Sequence, residues 1–281
     1  MKDLEGKVAV VTGAGSGLGR AIALECARRG MRLALADIDL GAAERTRAML
    51  GGRDAVSIGC DVSRPDEVRR LADASYDRFG GVHLLVNNAG VGTGGRIWNT
   101  TPSDWAWVMG VNLMGVVHGI QSFVPRMLAS GEPSHVVNTA SAGGFTVGPG
   151  FSIYIASKHA VVALTEALYQ EMQLEEASRV GVSVLCPAYV ETGFAQSEKT
   201  RPAEFCDASS ETADYMGRFE HAKGEFDADF VAAATLDAVE ADRFYILTHD
   251  SVKPAIEVRM RDILESRNPS KDAVRRIGIP R

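Results

Sequence analysis

Long hydrophobic runs are missing from this sequence. In 281 residues no stretch approaches the 18 consecutive apolar residues of a membrane span, so no membrane association is expected. A basic excess is missing too: 30 Lys and Arg stand against 36 Asp and Glu, a net charge of −6. Nothing is left over to neutralise a phosphate backbone, which argues against nucleic acid as a partner. Cysteine is scarce. Cys26, Cys60, Cys186 and Cys206 are scattered without CxxC or Cys/His spacing, so no disulfide framework or zinc site is expected. All four read as buried reduced thiols of a cytoplasmic protein. His83, His118, His135, His159, His221 and His249 form no HxH or HExxH pair, so no metal is expected and each reads as structural. The opening MKDLEGK is charged and lacks an apolar segment, so no secretory signal is expected. No repeat, low-complexity tract or Pro/Gly/Ser linker divides the chain. What remains is ordinary globular composition, 46% hydrophobic and 23% charged, long enough for one sizeable domain.

Apolar runs of strand length at 7–12, 31–36, 55–60, 82–86, 135–139 and 180–186 alternate with helix-period segments at 17–29, 41–50, 65–79, 102–128 and 153–176. Strands that are apolar on both faces imply a parallel sheet covered by helices on both sides. The expected fold is α/β, a doubly wound parallel sheet of Rossmann type, with ligands at the carboxyl ends of the strands. A single domain spans 1–265. Within it, the charged, irregular segment 193–225 is expected to be a substrate lid, and 243–249 a last strand. Residues 254–265 form a C-terminal helix opened by Pro254, with Ile256, Met260, Ile263 and Leu264 as its apolar stripe. The polar and basic tail 266–281 is expected to be disordered.

The first strand runs into Thr12-Gly13-Ala14-Gly15-Ser16-Gly17-Leu18-Gly19 and then a helix. Glycines there allow a tight turn and let backbone N–H groups approach a pyrophosphate at the helix N-terminus. Asp37 closes the second strand, where an acid can bind both ribose hydroxyls of NAD and would repel a 2′-phosphate. No Arg or Lys stands at Ala14, Ser16 or Ile38 to pair with that phosphate. NAD is therefore expected over NADP. The plainer reading is that Asp37 only caps the following turn.

The spacing Gly13-xxx-Gly17-x-Gly19 resembles that of the short-chain dehydrogenase/reductase family, and further motifs extend the likeness over residues 5–195. Asp61-Val62 ends the third strand, where that family holds adenine. Asn87-Asn88-Ala89-Gly90 matches its NNAG motif. Asn112, Ser141, Tyr154 and Lys158 match its catalytic tetrad. Pro187-Ala188-Tyr189-Val190-Glu191-Thr192 resembles its PGxVxT stretch, with Ala188 in place of glycine. The resemblance implies an oxidoreductase that moves hydride between a nicotinamide and a secondary alcohol or ketone. It implies cofactor contacts from Gly13, Ser16, Gly17, Leu18, Gly19, Asp37, Ile38, Asp61, Val62, Asn88, Ala89, Gly90, Tyr154, Lys158, Pro187, Val190 and Thr192. It also implies a homodimer or homotetramer built on helices 102–128 and 153–176. The tail resembles bacterial aryl-alcohol Cα-dehydrogenases.

Tyr154 and Lys158 are four residues apart on a predicted helix, which places them on one face, one turn apart. A free tyrosine, with pKa about 10, is too weak a base at neutral pH. A Lys158 ammonium beside it, with a cationic nicotinamide, is expected to lower that value and make Tyr154 the acid/base. Ser141 is expected to orient the substrate oxygen. By resemblance, Asn112 keeps a water for a proton relay. The residues beyond the strand ends include Phe145, Phe151, Tyr189 and Phe194, an apolar lining that suits a hydrophobic or aryl-bearing substrate. Gly92, Gly94 and Gly95 suggest a mobile edge to that pocket. A non-catalytic dinucleotide-binding protein is the alternative from another class, and it would be expected to lack the serine, tyrosine or lysine.

Overall fold

The apolar run at the N-terminus makes β1 (Val8–Thr12), and all five of its residues are buried because both faces of the strand are covered. β2 (Arg32–Asp37), β3 (Ala55–Gly59), β4 (Leu84–Asn87), β5 (Ser134–Thr139), β6 (Val180–Leu185) and β7 (Tyr245–Ile246) complete one sheet. Its order is β3-β2-β1-β4-β5-β6-β7, with every pairing parallel. The chain winds outward from β1 to β3, then crosses back to β4, so the order reverses between β1 and β4. A crevice opens at the carboxyl ends of the strands at such a point. This computed structural model describes residues 1–175, 178–207, 209 and 224–270.

The helices are α1 (Gly17–Arg28), α2 (Leu40–Ala48), α3 (Pro65–Phe79), α4 (Pro102–Met109), α5 (Gly115–Ser130), α6 (Ser152–Leu174), α7 (Ala228–Glu240) and α8 (Lys253–Leu264). One core layer packs Ile22 and Cys26 of α1 and Val231 and Leu236 of α7 against Val11 and Leu33. The other packs Leu71 of α3, Phe123 and Met127 of α5 and Leu168 of α6 against Val10 and Val136. The doubly wound reading therefore holds. Local signals set the helix ends. Pro65 starts α3, with Asp66 and Glu67 in its first turn, and Gly80 ends it at φ +77°. Thr101 and Asp104 form a capping box at α4. A π turn over Gly110–Met114 joins α4 to α5. Together, Pro102–Ser130 is long and apolar enough by length and composition to cross a membrane, but half of its most apolar window is buried in this fold.

Several expectations need correction. Only Tyr245 and Ile246 of the expected strand 243–249 pair with β6. Cys206 is exposed; Cys26, Cys60 and Cys186 are buried, and all four are free. The apolar stripe of α8 faces solvent at Met260, Ile263 and Leu264, while Ala255 and Asp262 are its buried residues. Helical periodicity gives a stripe, but does not say what covers it. Residues 266–270 turn back on this helix: Arg267 N–H donates to the Asp262 carbonyl at 2.8 Å and Ser270 N–H to the Asp262 carboxylate at 3.0 Å. The remainder of the tail, 271–281, lies outside the described residues. So do 208 and 210–223 of the lid segment, whose described part forms 3-10 turns over Gly193–Thr200 and Ala203–Phe205.

Candidate active site

The glycine turn is held by close approach. A Cβ on Gly19 would lie 2.0 Å from the Gly13 carbonyl oxygen, and one on Gly13, at φ +64°, would lie 2.9 Å from Ala89 Cα. Only hydrogen fits at either place. Thr12 ties the turn to the next strand: its hydroxyl oxygen accepts Asn88 N–H at 2.9 Å and Ala89 N–H at 3.1 Å. The Asn88 amide donates to the Thr12 carbonyl at 3.0 Å. Ser16, the exposed N-cap of α1, makes no side-chain capping bond. The first N–H groups of α1 therefore face an open, glycine-walled cradle, which fits a pyrophosphate.

Asp37 stands at the carboxyl end of β2. Its carboxylate accepts Gly15 N–H at 2.8 Å and Asp39 N–H at 3.0 Å. The N-cap of α2 is Asp39, which accepts Ala42 N–H at 3.1 Å, so Asp37 caps the turn before α2 and not the helix itself. Arg20, a nearby cation, is engaged by the Gly15 carbonyl and the Thr46 hydroxyl. Ile38 is exposed beside Asp37. At the end of β3, Asp61 accepts both the N–H and the hydroxyl of Ser63. Val62 is buried, and His118 Nδ1 lies 2.9 Å from its carbonyl oxygen.

A cavity of about 330 Å³ opens beyond β1, β4, β5 and β6. It gathers Gly13, Ser16, Gly17, Leu18, Gly19, Asn88, Ala89, Gly90, Pro187, Val190 and Thr192 with Ser141, Tyr154 and Lys158. Asp37, Ile38, Asp61 and Val62 stand outside its lining. The turn after β6 closes against the glycine turn, for a Cβ on Gly17 would lie 3.0 Å from Thr192 Cβ.

The Ser141 hydroxyl accepts Gly143 N–H at 3.1 Å, donates to the Pro187 carbonyl at 3.4 Å and neighbours the Tyr154 phenol. Lys158 is buried; its ammonium donates to the Thr139 carbonyl at 2.9 Å and lies 5.7 Å from the centre of the Tyr154 ring. Burial raises the Tyr154 phenol to about 12, and the Ser141 hydroxyl only partly opposes it. Burial also brings Lys158 down to about 8. Desolvation dominates Tyr154 in the protein alone; the expected lowering belongs to the state in which a cationic nicotinamide joins Lys158 beside it. Asn112 lies in the π turn, fully buried and behind the cavity wall. Its carbonyl oxygen accepts Val91 N–H at 2.8 Å, and both amide protons are spent, on the Val91 carbonyl and the Ser157 hydroxyl at 3.0 Å each. Its side chain braces Val91.

Phe151, Tyr189 and Phe194 line the cavity; Phe145 instead packs edge-on against Tyr245. The expected mobile edge is pinned. Gly92, Gly94 and Gly95 are buried, Gly95 N–H donates to the Gly150 carbonyl at 2.8 Å, and a Cβ on Gly92 would strike the Phe194 ring at 2.4 Å. The Phe194 ring in turn rests on Tyr154, with centroids 5.1 Å apart.

The short chain dehydrogenase family matches residues 7–203 of this chain. The chain is a short-chain dehydrogenase. The dehydrogenase is similar to a short chain dehydrogenase/reductase from Burkholderia phymatum solved in complex with NAD: identity is 46%, TM-score 0.93, covering 96% of this chain and 99% of that one. It is 34% identical over 281 residues to the CLA biosynthesis dehydrogenase/reductase of Lactiplantibacillus plantarum, covering 96% and 97% of the two chains. It is 34% identical over 280 residues to the C alpha-dehydrogenase of a Sphingobium strain, covering 96% and 89%. The fold binds a nicotinamide dinucleotide, and the cradle described above suits one.

Sequence reasoning missed several groups around the dehydrogenase site. Thr12 organises the NNAG turn. His249, buried, accepts Ala188 N–H on Nδ1 at 3.2 Å. Arg201 is not a solvated lid charge but forms a buried ion pair with Asp104 at 2.5 Å. Thr12 had a signal in its place directly before the glycines. The other two contacts join residues far apart in the chain, and spacing carries no trace of them.

Proposed function

We propose that the protein is an NAD-dependent oxidoreductase that interconverts a hydrophobic or aryl-bearing secondary alcohol and its ketone, with Tyr154 as acid/base. The carrying observation is Asp37. Its carboxylate stands beside the glycine turn, with the Arg20 guanidinium engaged by the Gly15 carbonyl and the Thr46 hydroxyl and an apolar Ile38 next to it. A ribose diol can accept that neighbour; a 2′-phosphate meets like charge. The NAD complex of the Burkholderia relative supports the same choice. For the substrate, the support is the cavity lining, in which Lys158 is the one charged side chain among the described residues. Among the described residues, a carboxylate or phosphate distal to the reacting carbon would find no counter-ion in that lining. The relative named as a C alpha-dehydrogenase fits this reading.

In this reading the backbone N–H groups at the start of α1 hold the pyrophosphate, Asp37 holds the adenosine ribose, and Lys158 holds the nicotinamide ribose. When bound, the dinucleotide supplies the hydride acceptor, or the donor in the reverse direction. Ser141 hydrogen-bonds the substrate oxygen and orients it toward Tyr154. Tyr154 takes the hydroxyl proton during oxidation and returns it during reduction. With its pKa near 12 in the protein alone, the phenol is ready to donate; it becomes a base only when positive charge is brought beside it. Phe194 and Phe151 exclude water and offer aromatic faces to the substrate. Met114, Tyr169 and Leu174, exposed on or beside α5 and α6, support assembly as a homodimer or homotetramer through these helices.

The test is a fluorescence titration with NADH and NADPH, followed by turnover of 1-phenylethanol with NAD. Tighter NADH binding and turnover are expected. Tighter NADPH binding would overturn the cofactor assignment.

A further inference from the structure

We propose that the buried Arg201–Asp104 ion pair is a positioning pair that sets the substrate end of the cleft by fixing the arm 193–200 against Tyr154. The inference rests on the cavity being the alcohol site. The arm supplies Phe194, Gln196, Ser197 and Thr200 to that cavity. At its start, Thr192 caps the turn by accepting Phe194 N–H at 3.3 Å. Inside it, Ser197 donates to the Phe194 carbonyl at 2.6 Å and Thr200 to the Ser197 carbonyl at 2.8 Å. These are bonds within the arm; they shape it without attaching it to the body of the fold.

Arg201 makes that attachment. Its side chain is 5% exposed and Asp104 is fully buried. The guanidinium meets Asp104 at 2.5 Å and Glu198 at 3.3 Å, and lies over the buried Trp107 ring, 4.8 Å from its centre. Asp104 is not free to follow a moving arm. Its other carboxylate oxygen accepts the Thr101 N–H at 2.7 Å and the Thr101 hydroxyl at 3.0 Å, in the cap of α4. The same helical stretch continues to Asn112, which holds Val91. One rod thus braces both the floor of the cleft and the arm above Tyr154. A second ion pair, Arg64–Glu204 at 2.6 Å, also reaches this region, but both partners are half exposed and screened. Lifting the arm at Arg201 would strand a desolvated charge on α4, which is far more costly than parting a surface pair. The aperture over Tyr154 is therefore fixed, and with it the bulk that the site admits.

The experiment compares Arg201→Met, Arg201→Met with Asp104→Asn, and the wild type. Three quantities are read: NADH affinity, kcat and KM for 1-phenylethanol with NAD, and the rate of tryptic cleavage after the exposed Lys199. The Arg201–Pro202 bond is itself a poor trypsin site, so cleavage in the arm reports on Lys199. In Arg201→Met, NADH affinity is expected to stay within about twofold, KM to rise about tenfold with kcat moving less, and cleavage to quicken about tenfold. The paired variant removes the stranded charge and is expected to regain thermal stability while keeping the raised KM and the fast cleavage. Unchanged KM and cleavage in Arg201→Met, or their return to wild-type values in the paired variant, would overturn the proposal. Should Arg201→Met fail to fold, Arg201→Lys, which keeps the charge but loses the fork and the stacking, is read the same way. If the wild type turns over no alcohol, the functional reading falls, and the cleavage rates alone still decide whether Arg201 anchors the arm.

Discussion

Lys158 donates to the carbonyl oxygen of Thr139 at 2.9 Å while lying 5.7 Å from the centre of the Tyr154 ring. In the protein alone the pair is a neutral phenol beside an ammonium made weaker by burial, with pKa values of about 12 and about 8. Tyr154→Phe removes the proton carrier and little else. It is expected to lower kcat by about a hundred- to ten-thousand-fold, with NADH affinity within a few-fold of wild type. Stopped-assay turnover and fluorescence titration check this, and substantial remaining activity would move the acid/base role to another group.

Lys158→Met separates catalysis from stability. The folded pKa of Lys158 lies below its ordinary 10.5, so between about 8 and 10.5 the unfolded chain binds more protons and wild-type stability rises with pH. At neutral pH the full cost of the buried ammonium is present. Replacing it with methionine loses the bond to Thr139 but relieves that cost, for a net gain of roughly 1–2 kcal/mol at pH 7. Denaturant melts at pH 7 and pH 9.5 test this. The inactive variant should be the more stable one, and its advantage should shrink at the higher pH.

Asp37→Ala is expected to weaken NADH about tenfold and to narrow the gap to NADPH, since a charge-assisted bond to the ribose and a repulsion of the 2′-phosphate are lost together. Paired titrations with the two reduced cofactors read both changes. An unaltered preference would mean that another group reads the ribose.

The sheet, the glycine turn and the Tyr154–Lys158 pair were legible because each is a local pattern: short apolar runs, close glycine spacing, or one helical turn. What escaped was non-local. Arg201 and Asp104 are 97 residues apart, and Ala188 and His249 are 61 apart. Arg201 among lid charges looks like any solvated arginine until the fold places Trp107 beneath it. The stripe on α8 was legible as a stripe, but its exposure at Met260, Ile263 and Leu264 was not, because what covers a helix face is not encoded in its own period. Burial holds the Tyr154 phenol up in the protein without cofactor, and that too is non-local: spacing reveals the neighbouring Lys158 but not how deeply the pair is buried.

Gly92→Ala probes the wall behind the Phe194 ring that rests on Tyr154. Its Cβ would arrive 2.4 Å from the Phe194 ring, which already rests on Tyr154. The ring must shift, and NADH contacts lie elsewhere. A several-fold rise in KM for an aryl alcohol with unchanged NADH affinity is expected. Steady-state kinetics with 1-phenylethanol would show it, and a matched rise in NADH dissociation constant would argue against the ring being a substrate wall.

His249 holds the turn after β6 through Nδ1, which also lies 2.8 Å from the Thr248 hydroxyl. Nδ1 takes the Ala188 N–H at 3.2 Å, so the ring carries its proton on Nε2, which is buried without a partner among the described residues. Protonation would turn Nδ1 into a donor that can still meet the Thr248 hydroxyl but no longer accepts the Ala188 N–H. Burial accordingly lowers its pKa, against the opposing charge of Glu225. Its contribution is present in full above the ordinary histidine value and is lost as pH falls below it, because there the unfolded chain takes the proton first. His249→Asn keeps an acceptor at the same distance from the backbone, whereas His249→Leu leaves the Ala188 N–H unpaired at a cost of about 1–3 kcal/mol. The asparagine variant should retain most of the NADH affinity and lose the acid sensitivity of the wild type, while the leucine variant should bind NADH more weakly at every pH. Titrations between pH 5 and pH 8 distinguish the two. Equal affinity in both variants would show that the turn holds its shape without this bond.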